Sequence, residues 1–307
     1  MITLFMTIGL PGSGKSHWAS EQDAKVVSSD AIREELFGDV NDQNYNNEVF
    51  NEVHNRIQNY LKQRFNVVYD ATNLSSKRRK GFLNTVPEFV RKVAVVFCTD
   101  YSICLKRNAE RERHVPEEVI ERMYKRITLP THLEGFDQIE YIFCPENDKT
   151  ELDYYLETVG YNQDNPHHSL TLDKHLEKAY NLAHEKGSDL NDYDKEILCR
   201  AALMHDVGKP VCKTYELFSG KVDDHAHYYN HANVGAYKIL CSRPIIFGLD
   251  KIHNRMERQK LVAIATLIQL HMNFFDSNFS LNEYRKYYEN NLITLLEILH
   301  ECDVEAH

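Results

Sequence analysis

No apolar run in this sequence approaches the ~20 residues that a membrane-spanning helix needs. The opening MITLFMTIGL has no basic region ahead of its apolar stretch, so it reads as a first strand rather than a signal peptide. The seven cysteines (98, 104, 144, 199, 212, 241 and 302) are scattered and contain no CxxC pair. That argues against a disulfide framework or a zinc ribbon and suits reduced thiols in a cytoplasm. Positive charge is outnumbered, with 36 Lys and Arg against 46 Asp and Glu. The net charge is −10, which is not the footprint of a protein that coats DNA. There is no repeat of fixed period and no low-complexity tract. Apolar residues at 42% and charged residues at 27% are ordinary for a globular chain, and 307 residues suit two domains.

What is present is divided unevenly. Residues 1–150 hold 20 Lys and Arg against 22 Asp and Glu, a net −2; residues 151–307 hold 16 against 24, a net −8. Histidines number 4 in the first part and 12 in the second, a first hint of a metal or phosphate site there. The first part alternates apolar runs (2–8, 26–27, 66–69, 93–98, 139–143) with helical stretches near 15–23, 29–37, 46–64, 75–85, 101–111 and 116–127. Short apolar strands separated by helices predict an α/β domain, a parallel sheet with helices on both faces. The second part has no comparable strand series. It predicts an all-α domain with helices near 171–187, 193–204, 228–242, 257–273 and 288–304. The polar stretch between Pro145 and Pro166 marks the boundary, giving domains at 1–150 and 166–307 with a linker at 151–165.

Gly9-Leu10-Pro11-Gly12-Ser13-Gly14-Lys15-Ser16 fits GxxxxGKS, follows an apolar strand and opens a helix. The glycines let backbone N–H groups curl around a phosphate chain, and the helix N-terminus adds partial positive charge. Lys15 would neutralise the β- and γ-phosphates of ATP, and Ser16 would ligate Mg²⁺. Ser29-Asp30-Ala31-Ile32-Arg33 follows the second strand. A carboxylate there can accept the proton of an attacking hydroxyl, and Arg33 can hold an anionic group of the acceptor. Alternatively, Ser29 or Asp30 caps the helix. Asp70, Thr72 and Asn73 close the third strand, where open α/β sheets place ligands. Asp70 could orient hydrated Mg²⁺, and Thr72 and Asn73 could face the acceptor. Lys77–Lys80 is a run of four basic residues, either a solvated face or a phosphate contact. Arg107 and Arg111 share a helix face if the helix runs through both, and with Arg113 they suit either a lid over the transferring phosphoryl group or ion pairs with Glu110 and Glu112 along the helix.

Together GLPGSGKS, SSDAIR, DATNLSSKRR and LKRNAERERHVPEEVIERMYKR resemble the phage-type polynucleotide 5′-hydroxyl kinases over residues 1–145. The resemblance implies Asp30 as general base, Arg33 on the phosphate next to the acceptor 5′-OH, and Arg107 and Arg111 on the ATP phosphates.

In the second part, His205-Asp206-Val207-Gly208-Lys209-Pro210 ends an apolar helical stretch. Adjacent His and Asp point about 100° apart on a helix, so a shared metal needs ligands from other helices. His175 and Asp303 stand at suitable helix positions, and a His₂Asp₂ set accepts Mn, Fe, Co, Ni, Zn or Mg. Lys209 could reach a substrate phosphate. The order H…HDVGKP…H…H…D resembles the HD phosphohydrolase superfamily over residues 166–307. The resemblance implies His175, His205, Asp206 and Asp303 as metal ligands. It places His231 and His271 on a second metal or on the substrate phosphate. His167, His168, His225, His227 and His253 have no matching position.

The two resemblances together predict a bifunctional enzyme that heals nucleic-acid ends, most naturally RNA. One part transfers the γ-phosphate of ATP to a 5′-OH. The other removes a 2′- or 3′-phosphate, or opens a 2′,3′-cyclic phosphate. A separate ligase would then seal the ends. The alternatives are a small-metabolite or nucleoside kinase joined to an HD nucleotide phosphohydrolase, and a nucleotide-sensing regulatory protein.

Overall fold

The computed structural model describes residues 1–39, 44–112, 114–166, 169–243, 251–277 and 279–307, and at 251–254 the backbone alone. Arg113, His167, His168 and the side chain of His253 lie outside the described residues. The chain divides into two units, residues 1–146 and 147–307. None of the described helices is long and apolar enough to cross a membrane.

Unit 1 runs β1 (Thr3–Ile8), α1 (Lys15–Ser20), β2 (Lys25–Ser28), α2 (Ser29–Phe37), α3 (Asn46–Lys62), β3 (Val67–Asp70), α4 (Ser76–Leu83), β4 (Arg91–Cys98), α5 (Tyr101–Ala109), α6 (Glu117–Lys125) and β5 (Gln138–Phe143). The five strands pair in parallel in the order β2-β3-β1-β4-β5. This is the α/β sheet that the alternating pattern predicts. Unbroken apolar strands such as Val93–Cys98 are buried because helices cover both faces. Helix α3 offers Val49, Val53, Ile57 and Leu61, four residues apart, as one fully buried stripe. Trp18 stands edge-on to Phe5 (5.9 Å) and Phe97 (6.0 Å), which seats α1 on the sheet. From β1 the chain crosses over β3 to β2, and after β3 it crosses over β1 to β4. Sheets of this kind bind ligands beyond the strand C-termini where the winding direction changes. The segments after β1, β2 and β3 all emerge there.

The basic run 77–80 splits by burial. Lys77, Arg78 and Lys80 are exposed, whereas Arg79 is 1% exposed. Its guanidinium pairs with both oxygens of buried Glu134 at 2.7 Å and donates to the carbonyls of Asn73 and Thr128. Arg79 is therefore a structural tie and not a phosphate contact. Arg79→Met is expected to cost about 3–5 kcal/mol, because Glu134 would be left charged and buried without a partner. Denaturant melts check this, and Arg79→Met combined with Glu134→Leu should recover much of the loss.

Unit 2 holds α7 (Glu151–Leu156), α8 (Leu172–Lys186), α9 (Asp192–Met204), α10 (Lys209–Cys212), a hairpin of β6 (Thr214–Glu216) and β7 (Val222–His227), α11 (His231–Cys241), α12 (Lys251–Leu270), α13 (Leu281–Tyr284) and α14 (Asn290–Glu305). Helix α8 packs on α9 and α14, α12 on α9, α11 and α14. Leu176, Leu198, Ile239, Ile264 and Leu299 meet in this core.

One expectation needs correction. The stretch 151–165 is not a bare linker. A Thr150/Asp153 capping box starts α7, Tyr154 is buried, and Arg200 on α9 pairs with Glu151 at 3.0 Å. Its sequence looks like a linker because its outer face is solvated. Unit 2 is the helical domain expected, with one short antiparallel hairpin, β6–β7, inserted ahead of α11. That hairpin is short and polar, and only Ala226 on it is fully buried.

Candidate functional sites

In unit 1 the loop from Gly9 to Gly14 is bent by Gly12 (φ 84°) and Gly14 (φ 97°), a left-handed backbone that favours glycine. A Cβ at Gly12 would also lie 2.4 Å from the carbonyl oxygen of Cys104. Lys15 folds back on this loop and donates to Leu10 O at 2.7 Å. Burial pulls its ammonium down to about 8. An ammonium this close to neutrality gains from an incoming polyphosphate. Ser16 at the start of α1 hydrogen-bonds Asp70 at the end of β3, and burial pushes the Asp70 carboxyl up. This hydroxyl–carboxylate pair beside a phosphate loop fits a hydrated Mg²⁺.

Ser28, not Ser29 or Asp30, caps α2 through the backbone N–H of Ala31. Asp30 is thereby left in the first turn with a side chain 58% exposed. It lies close enough to act on the charges of Lys15 and Asp70. Arg33, 4% exposed, approaches Asp30 at 3.5 Å and donates to Asn46 Oδ1 at 2.6 Å. Among the described residues its buried Nε has no hydrogen-bond partner. A buried guanidinium with a spare donor beside an exposed carboxylate suits an acceptor carrying both a hydroxyl and an anionic group.

The third strand's end is used for structure as well as chemistry. Thr72 O accepts from Gly9 N at 3.1 Å, and Asn73 (φ 45°) donates from Nδ2 to Thr7 O at 2.9 Å. Asn73 is thus a strut between β3 and β1, with Thr72 beside it at the loop.

Arg107 donates to Gly12 O (3.3 Å) and to Glu146 (2.7 Å). Helix α5 ends at Ala109, so Arg111 does not share a helix face with Arg107 as the spacing predicts. Asn108 breaks the helix path by bonding Val115 in both directions. Arg111 nevertheless lies close enough for its charge to act on Lys15 and Asp70.

In unit 2 six residues from five segments converge. His175 (α8) Nε2 lies 3.1 Å from His205 Nε2, and both lie 3.2 Å from Asp303 (α14) Oδ1. Asp206 Oδ2 is 3.6 and 3.5 Å from the same two nitrogens. Its other oxygen, Oδ1, faces His231 Nε2 (3.1 Å) and His271 Nε2 (3.7 Å). His205, His231 and His271 each turn Nδ1 to a backbone carbonyl three residues back, at 2.8, 2.7 and 2.6 Å. That fixes their rings with Nε2 facing inward, the usual support for a metal-binding imidazole.

The donor set fits a divalent cation on two counts. Ligands about 2.1 Å from an ion stand about 3.0–3.4 Å apart in octahedral or tetrahedral arrangement, close to the spacing found. The pocket also calls for positive charge. Burial would push His205 down, yet Asp206 and Asp303 outweigh it and raise the imidazole to about 10. Against burial, Lys209 and His205 hold Asp206 well below the carboxylate range.

Lys209 is 4% exposed and donates to Asp206 (2.6 Å) and Gln163 (2.8 Å). Gln163 in turn receives Tyr228 OH on its carbonyl. No motif signals Gln163, which falls in the expected linker, or Tyr228. His307 stacks on His175 at 4.9 Å and lies 3.8 Å from Asp303; its place one helical turn after Asp303 was the available signal. His227 pairs with Asp223 on the hairpin, and His225 is exposed there.

Gly208 sets the distance across this site. A Cβ there would lie 2.1 Å from His231 O and 2.7 Å from Gly235 N. Gly208→Ala is expected to push α11 and His231 away from Asp206 and weaken metal affinity about 10- to 100-fold, measurable by chelator competition.

Residues 4–130 match the family described as AAA domain, and residues 172–306 match the family described as HD domain. Over 137 residues, 41% of this chain, it is 28% identical to the L-seryl-tRNA(Sec) kinase of Methanococcus maripaludis. That stretch is 53% of the relative, so the chain spans about half of that protein's length. The solved Pnkp1/Rnl/Hen1 RNA repair complex is 26% identical over 40% of this chain and 42% of that one, at a TM-score of 0.36. A gluconokinase from Sinorhizobium meliloti is 17% identical over 46% of this chain and 81% of its own, at a TM-score of 0.33.

Proposed function

We propose that this chain, which joins an AAA-type P-loop domain to an HD domain, heals broken nucleic-acid ends, with RNA as its natural substrate. The observation that carries the reading is the Asp30–Arg33 pair beside the phosphate loop. It suits a hydroxyl with a phosphate nearby, which is what a 5′-OH polynucleotide end presents.

In the first reaction the Asp30 carboxylate accepts the proton of the 5′-hydroxyl as its oxygen attacks the γ-phosphorus of ATP. The bond from that phosphorus to the bridging oxygen breaks, and ADP departs. The loop N–H groups and Lys15 hold the β- and γ-phosphates, while Arg107 and Arg111 meet charge on the transferring group. Ser16 and Asp70 would hold Mg²⁺, which when bound neutralises phosphate charge.

In the second unit His175, His205, Asp206 and Asp303 would hold a divalent transition metal (Mn, Fe, Co, Ni or Zn), with His231 and His271 on a second ion or on the substrate phosphate. When bound, such an ion supplies Lewis acidity to a phosphoryl oxygen and to water. Lys209 keeps Asp206 ionised and places a cation beside the phosphate to be removed. The products, a 5′-phosphate and a 3′-OH, are what a separate ligase seals.

A second reading is transfer to a hydroxyl carried by an aminoacylated tRNA, favoured by the likeness to the L-seryl-tRNA(Sec) kinase. One substrate separates the two. A short RNA with a 5′-OH and a 2′,3′-cyclic phosphate is incubated with ATP, Mg²⁺ and trace Mn²⁺, Co²⁺ or Ni²⁺, and both ends are read by mass spectrometry. A gain of phosphate at the 5′ end with hydrolysis or loss at the other is expected. RNA left untouched where seryl-tRNA, nucleosides or nucleotides react would overturn end healing.

A further inference from the structure

Asp30, Arg33 and Phe37 stand at positions i, i+3 and i+7 of α2, which places them in a row on one face. Phe37 ends the row in a stack with Tyr45: ring centroids 4.3 Å apart and planes 8° from parallel. Tyr45 is 43% exposed, so this stack is not part of the core. It immediately precedes Asn46, which holds the Arg33 guanidinium at 2.6 Å. The same two segments therefore position the buried cation and, one helical turn further on, an accessible aromatic pair.

From the phosphate loop outward, the face offers a carboxylate, a buried guanidinium and a stacked pair of rings. We propose that Phe37 and Tyr45 form a subsite that stacks a nucleobase of the acceptor strand. This rests on the reading of unit 1 as a polynucleotide kinase and deepens it. A sugar acid has a hydroxyl for Asp30 but no flat π-face for these rings. Stacking is tolerant of sequence because every base has such a face, so the subsite selects polynucleotide ends without selecting a particular base.

The test uses the full chain and two oligonucleotides of one sequence with a 5′-OH, one with all its bases and one abasic at its two 5′-terminal positions. For the complete acceptor, Tyr45→Ala should raise KM about 5- to 150-fold, with kcat and the KM for ATP little changed. Tyr45→Phe, which keeps the ring, should behave as wild type. The abasic acceptor should already show the raised KM with wild-type protein, and Tyr45→Ala should add little to it. An unchanged KM in Tyr45→Ala, or an equal rise for both acceptors, would overturn the stacking subsite while leaving the kinase reading intact. Wild-type protein that phosphorylates neither oligonucleotide would overturn the kinase reading, and the subsite with it.

Discussion

Asp30→Ala is expected to slow transfer to a 5′-hydroxyl by about 10²- to 10⁴-fold, the usual contribution of a positioned general base. ATP affinity should stay near wild type, because the groups proposed to hold the phosphates are the loop backbone and Lys15, with Ser16 proposed to hold Mg²⁺. Asp30 is well exposed, and Ser28 rather than Asp30 caps α2, so its loss leaves the helix start intact. Arg33 meets Asp30 only at 3.5 Å and is anchored more closely by Asn46 at 2.6 Å, so the guanidinium should keep its place. Rapid-quench transfer assays and nucleotide titration together isolate the chemical step. Lys15→Ala supplies the contrast. It removes the buried ammonium held against Leu10 O and should weaken ATP binding as well as transfer. Undiminished transfer in Asp30→Ala would move the proton acceptor elsewhere, with Asp70, which also acts on the charge of Lys15, the next carboxylate to test.

The phosphate loop and the His205-Asp206 step were legible because their chemistry is local. A strand, a run of permissive residues and a helix start are adjacent in the chain, and a His-Asp pair at a helix end can be read in one glance. The convergence of His175, His231, His271 and Asp303 on that pair is not local. In the sequence only the resemblance to the HD superfamily groups them; in the fold the packing of α8, α9, α11, α12 and α14 does so. Three features escaped for physical reasons. Arg111 leaves its helix because Asn108 takes the backbone of Val115, a pairing invisible to a periodicity of four. Arg79 is hidden in a basic run whose other members are solvated, and its partner Glu134 is 55 residues away. Gln163 lies in a stretch whose polarity suggests a linker, yet its side chain is 1% exposed and faces Lys209. Sequence polarity reports the average face of a segment, whereas a site is made by the minority that turns inward.

Asp206→Asn should remove bound transition metal from unit 2 and reduce hydrolysis about 10²-fold or more, since the ion's Lewis acidity is worth several kcal/mol. Asparagine keeps the size of the side chain, so the packing around it should survive. What it removes is the negative charge that two groups of ligands share. Oδ2 faces His175 and His205, while Oδ1 faces His231 and His271. The loss should therefore reach both halves of the site. His271→Ala touches one half only, and its ring is the more distant at 3.7 Å from Asp206. If two ions bind, elemental analysis should find about half the metal in His271→Ala and little in Asp206→Asn. If one binds, His271→Ala should retain it and lose substrate affinity instead. Transfer to a 5′-hydroxyl should be unchanged in both variants, because none of these residues belongs to unit 1. Full metal content in Asp206→Asn would be incompatible with Asp206 as a ligand and would leave His175, His205 and Asp303 as the metal triad, with Asp206 serving to hold Lys209.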